Sequence, residues 1–195
     1  MIRFYFHPTP NPAKIALFLE ETGLAYEALP VDTSKGEQHA PAFRAINPNG
    51  KVPAIVDTEG PGGNEVRVFD STAILIYLAE KSGSPLLPAA PAERARVEQW
   101  MDWQQTTLNP AGRDAFMQWI RTPATQRNEA LIAASVALTE PLMAMLDAHL
   151  ARQPFMAGER FTMADIPVGC EIHRWWGLPQ DRAAHPHLER WYNTV

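Results

Sequence analysis

A chain of 195 residues, 46% hydrophobic and 20% charged, has the mass for one large or two small cores and the balance of a globular protein, which excludes wholesale disorder. A formal net charge of −5 lacks the basic excess of a dedicated nucleic-acid binder. No run approaches the roughly 20 apolar residues of a membrane span, the start MIRFYFHPTP has no apolar signal core, and a lone cysteine, Cys170, leaves no internal disulfide, so the expectation is a cytoplasmic protein.

Residues 2–6 (IRFYF) are rich in β-branched and aromatic types and stop at His7-Pro8, which predicts a strand. A helix is expected from Asn11 as N-cap with Pro12 in first position, carrying Ile15, Phe18 and Leu19 and closing at Gly23. Tyr26–Val31 reads as a second strand, so the order β-α-β implies a parallel pair. The polar stretch 32–48 has room for one short helix near Pro41–Ala45. Residues 52–57 (VPAIVD) and 66–69 read as a hairpin across the turn TEGPGGNE, after which Asp70-Ser71-Thr72 caps a helix with Ile74, Leu75 and Leu78 on one face.

The Pro-, Ser- and Gly-rich residues 82–91 predict a linker between a small α/β domain at 1–81 and an all-helical domain at 92–195. In the second part, Val97, Trp100, Met101, Gln104 and Leu108 trace a helical stripe that Asn109-Pro110 is expected to break. Another helix is expected over 126–150, with Leu131, Leu138, Leu142, Met145 and Leu146 on its apolar side and a kink or split at Pro141. Thr162 and Asp165 have capping-box spacing, with Phe161 and Ile166 as a hydrophobic staple.

Three features carry candidate chemistry, and each has a plain structural counterpart. Val52-Pro53 is either an edge-strand proline or a cis bond that offers Val52's backbone to an extended ligand. Asp70-Ser71 is either a simple cap or a carboxylate site at a helix N-terminus, with Asp70 available to an ammonium on the same ligand. Thr9 and Asn11 sit in a proline-stiffened corner where two polar side chains and a helix dipole can stabilise a thiolate. His185-Pro-His187 has no partner ligands, Cys170 reads as a small buried hydrophobe, and no metal cluster, phosphate loop or serine elbow is present in the sequence.

Taken in order along the whole chain, NPNGKVPAIVD at 47–57, FDSTAILIYLAEK at 69–81, FTMADI at 161–166 and HPHLERWY at 185–192 resemble the glutathione transferases. The resemblance implies an α/β thioredoxin-like N-terminal domain (βαβ-ββα, a mixed four-stranded sheet) and an all-α C-terminal domain. The segment TPNPAKIALFLEETGLAYE is similar to the bacterial Nu-type and Ure2-like branch. That similarity implies catalytic roles for Thr9 and Asn11 at the glutathione sulfur. It also implies glutathione contacts from Gln38 and Lys51 at the glycyl end, Val52 and Pro53 at the cysteinyl part, and Asp70 and Ser71 at the γ-glutamyl group.

The activity implied is glutathione-dependent transfer or disulfide-bond reduction, a chemistry of detoxification, with glutathione as substrate, no metal and a small electrophile or disulfide as partner. Trp103, Arg113 and Arg121 are candidates for the electrophile or second-glutathione site, and a homodimer is expected without nucleic acid or membrane. Two departures from the branch stand out. Pro12 follows Thr-Pro-Asn where glycine is usual, and relatives commonly continue past HPHLERWY whereas this sequence stops at Val195. Pro12 keeps a non-catalytic glutathione- or hydrophobic-ligand-binding protein as an alternative, beside a specialised transferase such as a dehalogenase or isomerase.

Overall fold

A computed structural model describes residues 1–195. The chain divides into two compact units, Met1–Leu87 and Pro88–Val195.

In the first unit, β1 (Ile2–Phe6) leads into α1 (Pro10–Thr22), which returns to β2 (Tyr26–Pro30). β2 lies parallel to β1 with Ile2 opposite Tyr26, the pairing a helical crossover demands. Then come α2 (Pro41–Arg44), β3 (Ala54–Asp57), β4 (Val66–Phe69) and α3 (Ser71–Ser82). β3 runs antiparallel to both β1 and β4, giving the order β2-β1-β3-β4. All four residues of β3 are buried, as an interior strand covered on both faces requires.

Side-chain alternation sorts the core into two layers. Tyr5 and its cross-strand partner Ala54 face Val31 and Phe43, with the Tyr5 and Phe43 rings edge-on at 5.9 Å. Phe4 and Ile55 point the other way, the face served by Ile15, Phe18, Leu19, Ile74, Leu75 and Leu78 of the mutually packed α1 and α3. Gly23 and Gly83 close these two helices with left-handed backbones, φ 64° and 63°, which glycine adopts without a Cβ clash.

The second unit is helical: α4 (Pro91–Trp103), α5 (Asn109–Phe116), α6 (Glu129–Leu150), α7 (Asp165–Trp176) and α8 (Pro186–Tyr192). The expected break at Asn109-Pro110 is not there. A π-turn over Gln104–Leu108 joins α4 to α5, and a second, Met117–Arg121, extends α5. Asn109 donates its N–H to the Gln104 carbonyl in the wide π register, and the backbone stays helical through the proline. The shifted register absorbs Pro110's missing donor, so the proline does not end the helix.

α6 also runs unbroken through Pro141, with Asn128 Oδ1 accepting from the N–H groups of Ala130 (3.0 Å) and Leu131 (3.3 Å) as its cap. Its buried stripe is Ile132, Ser135, Thr139, Met143, Leu146 and Leu150. Leu131, Leu138 and Met145, expected on the core side, are instead 40%, 64% and 40% exposed. The core accepts Ser135 and Thr139 because their hydroxyls donate to the carbonyls of Ala111 and Ser135. By length and composition α6 is the one helix long and apolar enough to cross a membrane; one stripe of it packs on α5 and α8, and the rest of its surface is not buried in the chain.

The capping box forms: Asp165 Oδ2 accepts from the Thr162 N–H (2.8 Å), and Thr162 Oγ1 accepts from the Ala164 N–H (3.3 Å). The other carboxylate oxygen of this fully buried residue accepts from the Met156 N–H and the Trp191 indole, so Asp165 ties α7 to α8 and the preceding loop. Burial pushes its carboxyl above the usual range, against the pull of those donors. Phe161 packs edge-on to Phe155 at 6.3 Å.

Candidate functional site

Strand register, rather than proximity in sequence, assembles the candidate site. Tyr5 pairs with Ala54, and Ala54 pairs with Phe69. The exit of β1, the entry to β3 and the exit of β4 therefore lie side by side at one end of the sheet. From that end the chain proceeds to Thr9 and Asn11, arrives through Val52-Pro53, and enters α3 at Asp70-Ser71.

The α1 corner differs from expectation by two residues. Thr9, not Asn11, occupies the N-cap position, with extended backbone (φ −144°, ψ 161°), and Pro10 starts the helix. The Thr9 hydroxyl makes no capping bond; it donates to the His7 carbonyl at 3.2 Å. Asn11 lies exposed in the first turn between Pro10 and buried Pro12. Of these three residues only Asn11 has a backbone N–H, since the other two are prolines, and the next N–H, that of Ala13, already bonds the Thr9 carbonyl at 3.2 Å.

Val52-Pro53 is cis, and β3 begins after it at Ala54. The approach to this bond is held by a residue that sequence reasoning passed over. Buried Asn47 donates from Nδ2 to the Lys51 carbonyl (2.6 Å) and accepts from the Asn49 N–H (3.0 Å), an Asx turn within N-P-N-G that fixes the backbone just before Val52. The signal was present: Asn followed by Pro-Asn-Gly is turn chemistry with an acceptor side chain. Gly50, at φ 60°, lets the Gln38–His39 turn approach so closely that a Cβ there would stand 3.0 Å from His39 Nδ1 and 3.1 Å from the Gln38 carbonyl oxygen. Gln38 and exposed Lys51 are thus brought to the same neighbourhood. Gln38 contacts His39 Nε2 through its amide nitrogen at 3.2 Å, while its buried Oε1 has no protein partner.

Asp70 is the chain's one non-glycine residue with positive φ (72°), a backbone state that costs of order 1–3 kcal/mol and persists only where the surroundings enforce it. Its Oδ1 accepts from the Thr72 N–H at 2.9 Å as the N-cap of α3, and buried Ser71 is the first residue of that helix. A carboxylate, a hydroxyl and a helix N-terminus meet there, the elements a zwitterionic ligand end requires.

In the second unit, Trp103 is half-buried and edge-on to Trp100 at 5.3 Å, and Arg113 and Arg121 are exposed. Arg121 follows Arg113 by one α-turn and one wider π-turn, so their eight-residue spacing amounts to about two full turns and sets both cations on one helix face. No group of three or more His, Cys, Asp or Glu side chains could hold a metal ion.

A thioredoxin-like unit with a cis-proline corner and a capped helix N-terminus at one end of its sheet, followed by an all-α unit, defines a class of thiol-handling fold. Sequence profiles of the glutathione S-transferase N-terminal and C-terminal domains match residues 1–80 and 129–194. The chain is 38% identical over its full length to the disulfide-bond oxidoreductase YfcG of Escherichia coli K12, covering 90% of that protein. Among solved structures, a theta class glutathione S-transferase from the citrus canker pathogen Xanthomonas axonopodis pv. citri, with glutathione bound, superposes at TM-score 0.91 with 40% identity over 99% of this chain and 91% of the other. A glutathione transferase from Pseudomonas putida with one glutathione disulfide bound per subunit superposes at TM-score 0.83 with 34% identity, over 90% of this chain and 76% of that one. The chain belongs to the glutathione S-transferase family.

Proposed function

We propose that this protein is a glutathione-dependent transferase and disulfide-bond oxidoreductase that binds glutathione at the end of the sheet in its first unit. The observation that carries the reading is the convergence there of the α1 first turn, the backbone at Val52 and the strained, capping Asp70. The bound disulfide of the Pseudomonas putida relative and the disulfide-bond oxidoreductase activity for which YfcG is named support the choice of reaction.

In this reading Asp70 takes the γ-glutamyl ammonium, and Ser71 with the α3 N-terminus takes its carboxylate. Val52 pairs through its backbone with the cysteinyl part beside Pro53, and Gln38 and Lys51 hold the glycyl carboxylate. Thr9 and Asn11 face the sulfur. The thiol loses its proton to solvent and its thiolate attacks one sulfur of a disulfide, forming a mixed disulfide and expelling the other sulfur as thiolate. A second glutathione thiolate then attacks the mixed disulfide, releasing glutathione disulfide and the reduced thiol. Two glutathiones supply the two electrons.

No protein cysteine enters this cycle, because Cys170 is buried in α7. Arg113 and Arg121, with Trp103, are assigned to the electrophile or the second glutathione. Lone Cys170 fits the reducing cytoplasm, and the exposed face of α6 is assigned to a homodimer contact. The decisive test is turnover of a small disulfide with glutathione by the Thr9→Ala, Asn11→Ala double variant. A fall in kcat/KM of about 10²-fold or more is expected from losing the thiolate's donors; wild-type turnover would remove this mechanism. Glutathione binding without any turnover in the unaltered protein would favour the non-catalytic reading.

A further inference from the structure

Pro12 alters the corner in a way that a generic helix N-terminus would not. The first turn of an α-helix presents backbone N–H groups that have no partner within the helix, and these make it attractive to anions. Here Pro10 and Pro12 remove two of them, and the Thr9 hydroxyl, which donates to the His7 carbonyl, serves a sulfur only by turning away from it. Among residues 10–12 the remaining main-chain donor is the Asn11 N–H. Pro12 is buried at the third position of α1, where proline is not needed to start a helix that Pro10 has already started.

We infer that Pro12 tunes the acidity of the bound glutathione thiol, holding its pKa higher than a fully furnished helix N-terminus would. The inference rests on the glutathione-site reading above. Its chemical sense lies in thiol–disulfide exchange: nucleophilicity per thiolate falls as the pKa falls, and the optimum attacking thiol has a pKa near the ambient pH. A corner stripped of one donor keeps fewer thiolates but stronger ones, which suits a disulfide substrate whose leaving thiol resembles the attacking one.

The test restores the N–H with two side chains of different volume, Pro12→Ala and Pro12→Val. Each protein is titrated with glutathione by calorimetry, and the bound thiolate is followed across pH by its ultraviolet absorbance. Both variants should lower the bound thiol pKa by about one unit, the scale of one added hydrogen bond to a charged group. The pH–rate profile for a small disulfide should then cross that of the parent. With a Brønsted exponent of 0.4–0.5, a one-unit drop raises the rate about threefold on the acid side, where thiolate is scarce, and lowers it about threefold on the alkaline side, where thiolate is saturated.

Unchanged thiol pKa in variants that still bind glutathione overturns the inference, as does a shift that differs between Ala and Val, which would trace it to packing. Absence of glutathione binding in the unaltered protein would instead overturn the underlying site. The two failures are therefore distinct.

Discussion

In the proposed reading Asp70 serves as both helix cap and glutathione contact, two purposes whose requirements conflict, and the conflict makes it separable by mutation. As the N-cap of α3 it needs only an acceptor for the Thr72 N–H. Its φ of 72° favours glycine, so the carboxylate is kept at a conformational cost. Asp70→Gly should therefore leave urea stability within about 1 kcal/mol of the parent, because glycine is a tolerable cap and relieves the positive φ. Glutathione affinity should fall at least tenfold, the loss of one charged hydrogen-bond partner. A cap-only residue would give the opposite pattern, with affinity retained. Sequence reasoning reached Asp70 and Ser71 because cap chemistry is local. It placed the α1 start two residues late because Thr-Pro and Asn-Pro are the same start signature written twice in TPNP. Local chemistry gives no preference between the two registers; the observed structure starts at Pro10.

At the scale of elements, the far end of β3 shows how strand and helix are joined. Asp57 is fully buried at the end of β3, opposite Ile2, and accepts from the Tyr77 hydroxyl and the Lys81 ammonium of α3, each at 2.7 Å. Burial alone would raise its carboxyl, but Lys81, Tyr77 and the Glu59 N–H outweigh it and hold the group below the usual carboxylate range. A depressed folded-state pKa contributes stability that is present above the unfolded value near ~3.9 and is lost as pH falls through the folded value. Lys81→Met should cost about 2 kcal/mol at neutral pH, discounted from a fully buried pair because Lys81 is 29% exposed. The deficit should shrink on acidification, as Asp57 protonates earlier without its ammonium. Urea melts of both proteins near pH 7 and pH 4 read this directly, and a deficit independent of pH would exclude it. None of this network was legible beforehand, since Asp57, Tyr77 and Lys81 meet through strand register. The unbroken run through Pro110 was hidden for a related reason: a π-turn is a backbone solution that side-chain periodicity does not record.

For the whole molecule, α6 poses the question of what covers a helix with apolar residues on two faces. Periodicity was right at Leu146 but otherwise followed the wrong face, because Leu131, Leu138, Leu142 and Met145 outrank Ser135 and Thr139 in hydrophobicity, while the latter are buried with their hydroxyls satisfied. The rejected face is an ordered row: Leu131, Leu138 and Met145 recur at intervals of seven, with Leu138 the most exposed of the three. That row is symmetric about its centre, so an antiparallel copy related by a two-fold axis at Leu138 would set apolar residues against apolar ones along its length, as an isologous contact requires. The homodimer proposed for this protein would use this face. Leu138→Glu places like charges together at the axis and should convert a dimer to a monomer in sedimentation equilibrium. It should leave binding of the first glutathione within about twofold per chain, because the residues proposed for that glutathione all lie in the first unit. A parent protein already monomeric at micromolar concentration, or a dimer indifferent to the charge, would assign the row to some other surface.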